Sequence, residues 1–499
     1  VQRHEHVLEV EIMKQKYKFR WYQKLNENRQ RIYEEARGSA ADIGLERFRG
    51  QIGLYPTGSA CPPPLPKYVV EAIAKASKMP VLPMTRIEDE LREIVKDVYG
   101  DNYDAAATNT CESALRVCFE TLFAPPTMRK GDAYRARYIA PYNHDFEFMA
   151  AYGRPFPPKY KNVWVDRSVS AGELGVEAKS LTNLDAIIVP FAGGKYEVHG
   201  IKYNPVPLLT GVDAEKTGKR IEEVAHRHIS MLSGFESLGY DSPGYGYGEK
   251  TEDGVPKIQR MIGNLSEKLD LPYIVDCAMG IPFIGTDLRR IGASAMLWSM
   301  DKSCRAMTSG LIIGKEDVLV TVRKALGLGG ERGGTVSSHG KALHSACDPG
   351  RDAVISQIEV LKVLRNSPEK IKKPIDDLYG IVKEEFSSIA PSWVREGLII
   401  SKSYNMGAVE VNYERTWKDG EFGIPIFSAE DLFADSLLCA TIYEMGVYPP
   451  VIYDANIWFG PWQGTTDEEG QLIEENARLA VRAVVRATEI VCKYAGITE

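Results

Sequence analysis

The sequence predicts an α/β protein: a mainly parallel sheet covered by helices, with a helical extension before it and a smaller α+β domain after it. Three observations carry that expectation. The 499 residues exceed one ordinary hydrophobic core. From about residue 86, short apolar runs alternate with amphipathic segments, the rhythm of strands joined by crossover helices. Beyond residue 365 the rhythm changes to helix, strand (MGAVEVNYE), helix (DLFADSLLCATIYEMG), strand (IYDANIWFG) and a long final helix. The expected units are a helical extension with a substrate-mouth segment over 1–85, a large α/β domain over 86–365 and a small α+β domain over 366–499.

Residues 5–50 place apolar side chains at helical spacing, as in EVEIMKQKYKFRWYQK, and predict a long amphipathic helix. The glycines and prolines of GLYPTGSACPPPLPK force irregular backbone before a helix from about Lys67. ELREIVKDVYG and ESALRVCFETLFA read as helices, with DAAATNT, YRARYIAPYN, FEFMAAYG, NVWVD and DAIIVP as strand candidates. Over about 206–256 the rhythm lapses. The Tyr/Gly-rich piece SLGYDSPGYGYGEKTEDG is long for a connection inside a domain and predicts a lid, a binding loop or a disordered segment.

With 44% hydrophobic and 26% charged residues the chain can bury a full core. A net charge of −7, with no Lys/Arg block, offers nothing to duplex nucleic acid. Eight cysteines without a C-x-x-C pair argue against disulfide and zinc frameworks. His226 and His228 lie two apart on a helix and do not share a face, so no metal pair is expected there. No apolar run approaches the roughly 18 residues of a membrane span, and the charged start lacks the apolar core of a secretion signal, so a cytoplasmic protein is expected.

The chemistry concentrates in YIVDCAMG and SMDKSC. Asp276 ends one apolar run, and Lys302 follows another, Ala295 to Trp298. A carboxylate and an amine on neighbouring strands suit an aldehyde cofactor with a basic ring nitrogen. An ordinary strand, helix, strand unit with an exposed lysine is the competing reading. ATNTCESALR joins a strand candidate to a helix, where free N–H groups and the helix dipole favour a phosphate; a plain N-cap by Thr110 or Asn109 explains the same residues. His144 stands in the loop after the next strand, and GLGGERGGTVSSHGK permits close backbone approach to a ligand.

In chain order, the four motifs ATNTCESALR, YIVDCAMG, SMDKSC and GLGGERGGTVSSHGK, with His144 after the first, resemble those of the fold-type I pyridoxal phosphate enzymes, and within them the class V aminotransferase and cysteine desulfurase group, over roughly residues 50–499. The resemblance implies a seven-stranded sheet and pyridoxal 5'-phosphate as cofactor. It implies that Thr110, Cys111 and Ser299 meet the phosphate, that His144 stacks on the ring, and that Asp276 contacts the pyridine nitrogen with Ala278 packed near the ring. Lys302 is implied as the Schiff-base lysine. Thr335 is implied to reach the phosphate of a partner subunit, so a homodimer or higher homo-oligomer is expected.

Departures from that group bear on function. Asp301 stands where a histidine usually precedes the lysine, and Met279 where a glutamine bonds the cofactor's phenolic oxygen. IYDANIWFGPWQ lacks the late arginine that often holds a substrate carboxylate, leaving Arg332, Arg351 and Arg415 as candidates. Cys347 lies too close after the lysine for a desulfurase cysteine. The expected function is a pyridoxal phosphate-dependent lyase or β-replacement reaction on an amino acid or related amine, with transamination as the alternative. A non-catalytic partner-binding protein on the same fold is the reading from a different class.

Overall fold

The computed structural model describes residues 24–48, 50–56, 63–80, 84–123, 137–143, 202–208, 214–241, 247–327, 347–416, 423–425, 437–453 and 456–499. Its strands in chain order are β1 (Ile52–Gly53), β2 (Tyr103–Thr108), β3 (Arg137–Asn143), β4 (Lys202–Leu208), β5 (Leu232–Leu238), β6 (Tyr273–Asp276), β7 (Ala295–Ser299), β8 (Gly310–Lys315), β9 (Ile399–Ser403), β10 (Ala408–Asn412), β11 (Val447–Tyr448), β12 (Val451–Tyr453) and β13 (Asn456–Phe459).

Seven of them form one sheet in the order β2-β8-β7-β6-β5-β3-β4, in which β8 alone runs antiparallel to its neighbours. Side chains alternate across it. Ala105, Ala107, Val275, Met296 and Ile313 face one core, while Ala106, Ile274, Leu297 and Ile312 face another built with the helices Cys111–Cys118 and Glu316–Leu326. Burial on both faces explains why these strands read as continuous apolar runs rather than alternating ones.

The stretch expected to be an insertion holds regular structure. Lys202–Leu208 is the edge strand β4, Ala214–Arg227 is a helix, and Leu232–Leu238 is β5 inside the sheet. Pro205 and Pro207 hide β4, yet proline is tolerated on an edge where one row of N–H groups has no ladder partner. In β5 the polar Ser237 is buried and its hydroxyl is shared with Tyr273 at 2.6 Å, so a polar run is satisfied inside the sheet. The strand candidates FEFMAAYG, NVWVD and DAIIVP lie outside the described residues, as does most of the expected N-terminal helix, of which Arg29–Asp42 is described.

Beyond the helices Arg351–Asn366 and Glu369–Phe386, β12-β13-β10-β9 make a four-stranded antiparallel sheet. The sequence run IYDANIWFG is two paired strands rather than one, with Ile452 opposite Ile457. The helix Arg29–Asp42 packs on Glu474–Ala495 and Leu437–Glu444, and β1 pairs with β11, so the extension is joined to the C-terminal layer.

Candidate active site

Strand register gathers the sequence motifs at one edge of the sheet. Thr108 at the end of β2 and Ser299 at the end of β7 both pair with Gly310, the first residue of β8. Asp276 ends β6 beside Leu297 of β7. The carboxyl ends of β2 and β7 are thus level, two strand spacings or roughly 10 Å apart, and β6 ends two residues short of that of β7. Open α/β sheets bind their ligands at this edge.

At the β2 end, Thr110 caps the helix Cys111–Cys118: its Oγ1 accepts the Ser113 N–H at 3.0 Å. The Thr108 hydroxyl donates to the Thr110 carbonyl at 2.7 Å, and the Asn109 N–H to the Cys347 carbonyl at 2.9 Å. Gly310 makes room for this turn, because a Cβ there would overlap Thr108 Oγ1 and the Thr110 carbonyl oxygen and lie 2.7 Å from the Thr110 carbonyl carbon. Cys111 is buried at the first helical position, where the helix dipole is positive.

At the β6 end, Asp276 is only 3% exposed, and its Oδ1 accepts the Ala278 N–H at 3.0 Å. The Asp276 carbonyl accepts from the Gly239 N–H at 2.6 Å, tying it to the end of β5. Burial, with the Asp276 charge adding to it, pushes the thiol of Cys277 next to it well above the usual range.

At the β7 end, the Ser299 hydroxyl donates to Asp301 Oδ1 at 2.5 Å, and both residues are buried. Asp301 is therefore turned to Ser299, a short charge-assisted bond that commits the serine proton. Lys302 follows, half-buried, on a turn closed by the Arg305 N–H to the Lys302 carbonyl at 2.9 Å and the Ala306 N–H to the Met300 carbonyl at 2.8 Å. Its side chain lines a pocket with Tyr55, Tyr68, Arg305, Lys370 and Gly460.

The antiparallel sheet reaches into this edge through the β9–β10 turn. Asn405 accepts the Thr286 N–H at 2.7 Å and donates to the Thr286 hydroxyl at 2.7 Å, and its carbonyl accepts from Cys277 Sγ at 3.5 Å. Ser303 donates to the carbonyls of Met279 at 3.0 Å and Gly407 at 3.2 Å. Gly407 sits at φ +55°, and a Cβ on it would collide with Ser303. The loops after Asp276 and after Lys302 are thus pinned by the same hairpin. Nothing in the motif spacing signals Asn405 or Ser303, since Asn405 and Thr286 are 119 residues apart and Ser303 and Gly407 are 104 apart.

His144, Thr335 and Arg332 lie outside the described residues. Of the other arginines considered for a substrate acid, Arg351 pairs with Asp352 at 2.8 Å on the surface and Arg415 is exposed. No group of metal-binding side chains occurs among the described residues, and none of the described helices is long and apolar enough to cross a membrane.

The site is therefore a buried carboxylate and a pocket-lining lysine at the carboxyl edge of a mainly parallel α/β sheet. No family model matches the chain, and no curated protein matches it either. Solved structures similar in chain path include SepCysS in complex with the SepCysE N-terminal domain (11% identity, TM-score 0.47, covering 90% of this chain and 96% of that one). Others are ureidoglycine-glyoxylate aminotransferase from Bacillus subtilis (12%, 0.47, 87% and 92%) and D-glucosaminate-6-phosphate ammonia-lyase (13%, 0.44, 90% and 96%). Identities this low say nothing of substrate or reaction, and the strand order and register above describe the architecture on their own.

Proposed function

We propose that this chain is a pyridoxal 5'-phosphate-dependent enzyme acting on an amino acid or related amine. The observation that carries the reading is the register: a buried carboxylate at the end of β6, an amine three residues after β7 and a capped helix N-terminus after β2 belong to the same carboxyl edge of the sheet.

The donor set fits that cofactor. Asp276, held in place by the Ala278 N–H and shielded from water, suits a protonated ring nitrogen as its ionic partner. The first turn of the helix Cys111–Cys118, with Thr110 before it, suits a phosphate. Ser299 contributes there as a donor only when its hydroxyl leaves Asp301. When bound, the cofactor supplies an aldehyde for the lysine and a ring that draws electrons from the substrate's α-carbon. Lys302 would hold the aldehyde and, as a base, would move the proton at the substrate's α-carbon. Asp276 would keep the ring nitrogen protonated. The loop carrying Met279 and the turn carrying Lys302, pinned together by Ser303 and Asn405, hold these groups at fixed separation. By the resemblance of their motifs, His144 and Thr335, outside the described residues, would serve the ring and the phosphate of a second copy in a homodimer.

Loss or replacement of a β-substituent is the reaction we favour, because β12 and β13 carry no arginine, so a substrate carboxylate is not held from those late strands as it often is in transamination. Transamination is the alternative. The test has two parts. Lys302→Ala should abolish the visible absorbance that wild type gains on cofactor addition; persistence of that band in the variant sinks the assignment. With a panel of amino acids, release of ammonia or another leaving group with recovery of the band supports the lyase reading. Stoichiometric keto acid with lasting loss of the band supports transamination.

A further inference from the structure

Arg305 is buried to 9% exposure in the pocket that Lys302 also lines, three residues further along the same turn. Its partners are neutral: one terminal nitrogen donates to the Gly470 carbonyl at 3.5 Å and the other to the Pro64 carbonyl at 3.2 Å. Among the described residues its Nε, closed off from solvent, has no acceptor. Among the described residues no carboxylate lies within ion-pair distance of it. Asp467, whose charge it feels, accepts the backbone N–H groups of Glu469 and Gln471 at its Oδ1. The described pocket lining holds three cations, Lys302, Arg305 and Lys370, and one carboxylate, Glu469, which is about half exposed and 3.5 Å from Lys67. Arg305 also sits at φ +56°, a conformation that costs an L-residue roughly 1 kcal/mol and favours glycine or asparagine, so an arginine there is retained at a cost. A guanidinium removed from water without a counter-ion is unfavourable until an anion arrives.

We propose that Arg305 is the residue that receives the carboxylate of the substrate handled at Lys302. This rests on the function proposed above. The guanidinium fork matches the planar geometry of a carboxylate, and three of its five N–H donors are unspent. Arg305 thereby supplies, from the turn after β7, the cation that β12 and β13 lack. The substrate class is an amino acid with a free carboxylate, and the corresponding carboxylate-free amine is discriminated against.

The test uses two aminooxy probes on the cofactor-loaded protein, aminooxyacetate, which carries a carboxylate, and methoxyamine, which does not. Each probe's rate of bleaching the visible band is divided by its rate with free cofactor, giving a carboxylate preference independent of substrate identity. Wild type should prefer aminooxyacetate by at least about tenfold, what one charge-assisted pairing contributes. Arg305→Gln should lose that preference while its methoxyamine rate stays within about twofold of wild type. Arg305→Lys should retain part of it, and carries the test if the glutamine variant does not hold cofactor. An unchanged preference in these variants overturns the inference, and so does an equal slowing of both probes, which marks a structural role through Gly470 and Pro64. Wild-type protein that takes up no cofactor overturns the proposed function together with this inference, whereas a normal band with an unchanged preference overturns this inference alone.

Discussion

Gly310 links the two halves of the proposed phosphate site, and replacing it tests whether the register at the sheet edge matters. In Gly310→Ala the added Cβ overlaps the Thr108 hydroxyl and the Thr110 carbonyl oxygen, and lies 2.7 Å from the Thr110 carbonyl carbon. Backbone does not yield as a side-chain tip does, so the turn before the helix Cys111–Cys118 must move. Overpacking of this kind costs about 1–3 kcal/mol. If the displaced turn is the phosphate site, that cost falls on the bound state, and cofactor affinity drops by about five- to a hundredfold. Gly314→Ala is the control, since its Cβ meets the Ser294 carbonyl oxygen at 2.5 Å on the same strand but at the far end from the site. Both variants should melt earlier than wild type. Only Gly310→Ala should raise the cofactor Kd in a fluorescence titration. Equal Kd values for the two variants would refute the reasoning.

Three further outcomes are expected, besides those at Lys302 and Arg305. Glu88 is buried, and burial raises its pKa to about 8, with Arg323 opposing the rise and Asp348 adding to it. The folded chain therefore keeps a proton that the unfolded chain, ionising near 4.5, gives up, so this contribution to stability is present below pH 4.5 and is lost as pH rises through 8. Between pH 5 and pH 8 the loss is three units at 1.36 kcal/mol, about 4 kcal/mol. The melting advantage of Glu88→Gln over wild type should widen across that range, and parallel curves would exclude it. Asp301→Ala removes the acceptor that holds the Ser299 hydroxyl and frees it to donate to a phosphate, so cofactor should bind about tenfold tighter, the effect of roughly 1.4 kcal/mol; weaker binding contradicts the account. Asn405→Ala removes both bonds to Thr286 and should lower the melting midpoint, consistent with a loss of about 1–3 kcal/mol, while leaving the absorbance band in place.

Much of this architecture is legible in the chain itself. Strands β6, β7 and β8 announce themselves because both of their faces are buried, which forces unbroken apolar runs such as YIVD, AMLWS and GLII. The spacing of Asp276 and Lys302 on successive strands, and the small polar residues before the helix Cys111–Cys118, are local facts of sequence. So is the paucity of arginine in β12 and β13. What the sequence conceals is whatever depends on a partner distant along the chain. β4 is masked by prolines that only its edge position allows, and β5 by polar residues that only Tyr273 and its neighbours satisfy. The pinning of the Lys302 turn by Asn405 and Ser303 joins residues that only folding brings together. Arg305 looks like one surface cation among sixty-one Lys and Arg until the tertiary structure buries it in the pocket that Lys302 also lines, with no carboxylate among the described residues within ion-pair distance. Local composition determined which groups the site contains. Burial and register, which are properties of the assembled chain, decided which of them face one another and which of them still lack a partner.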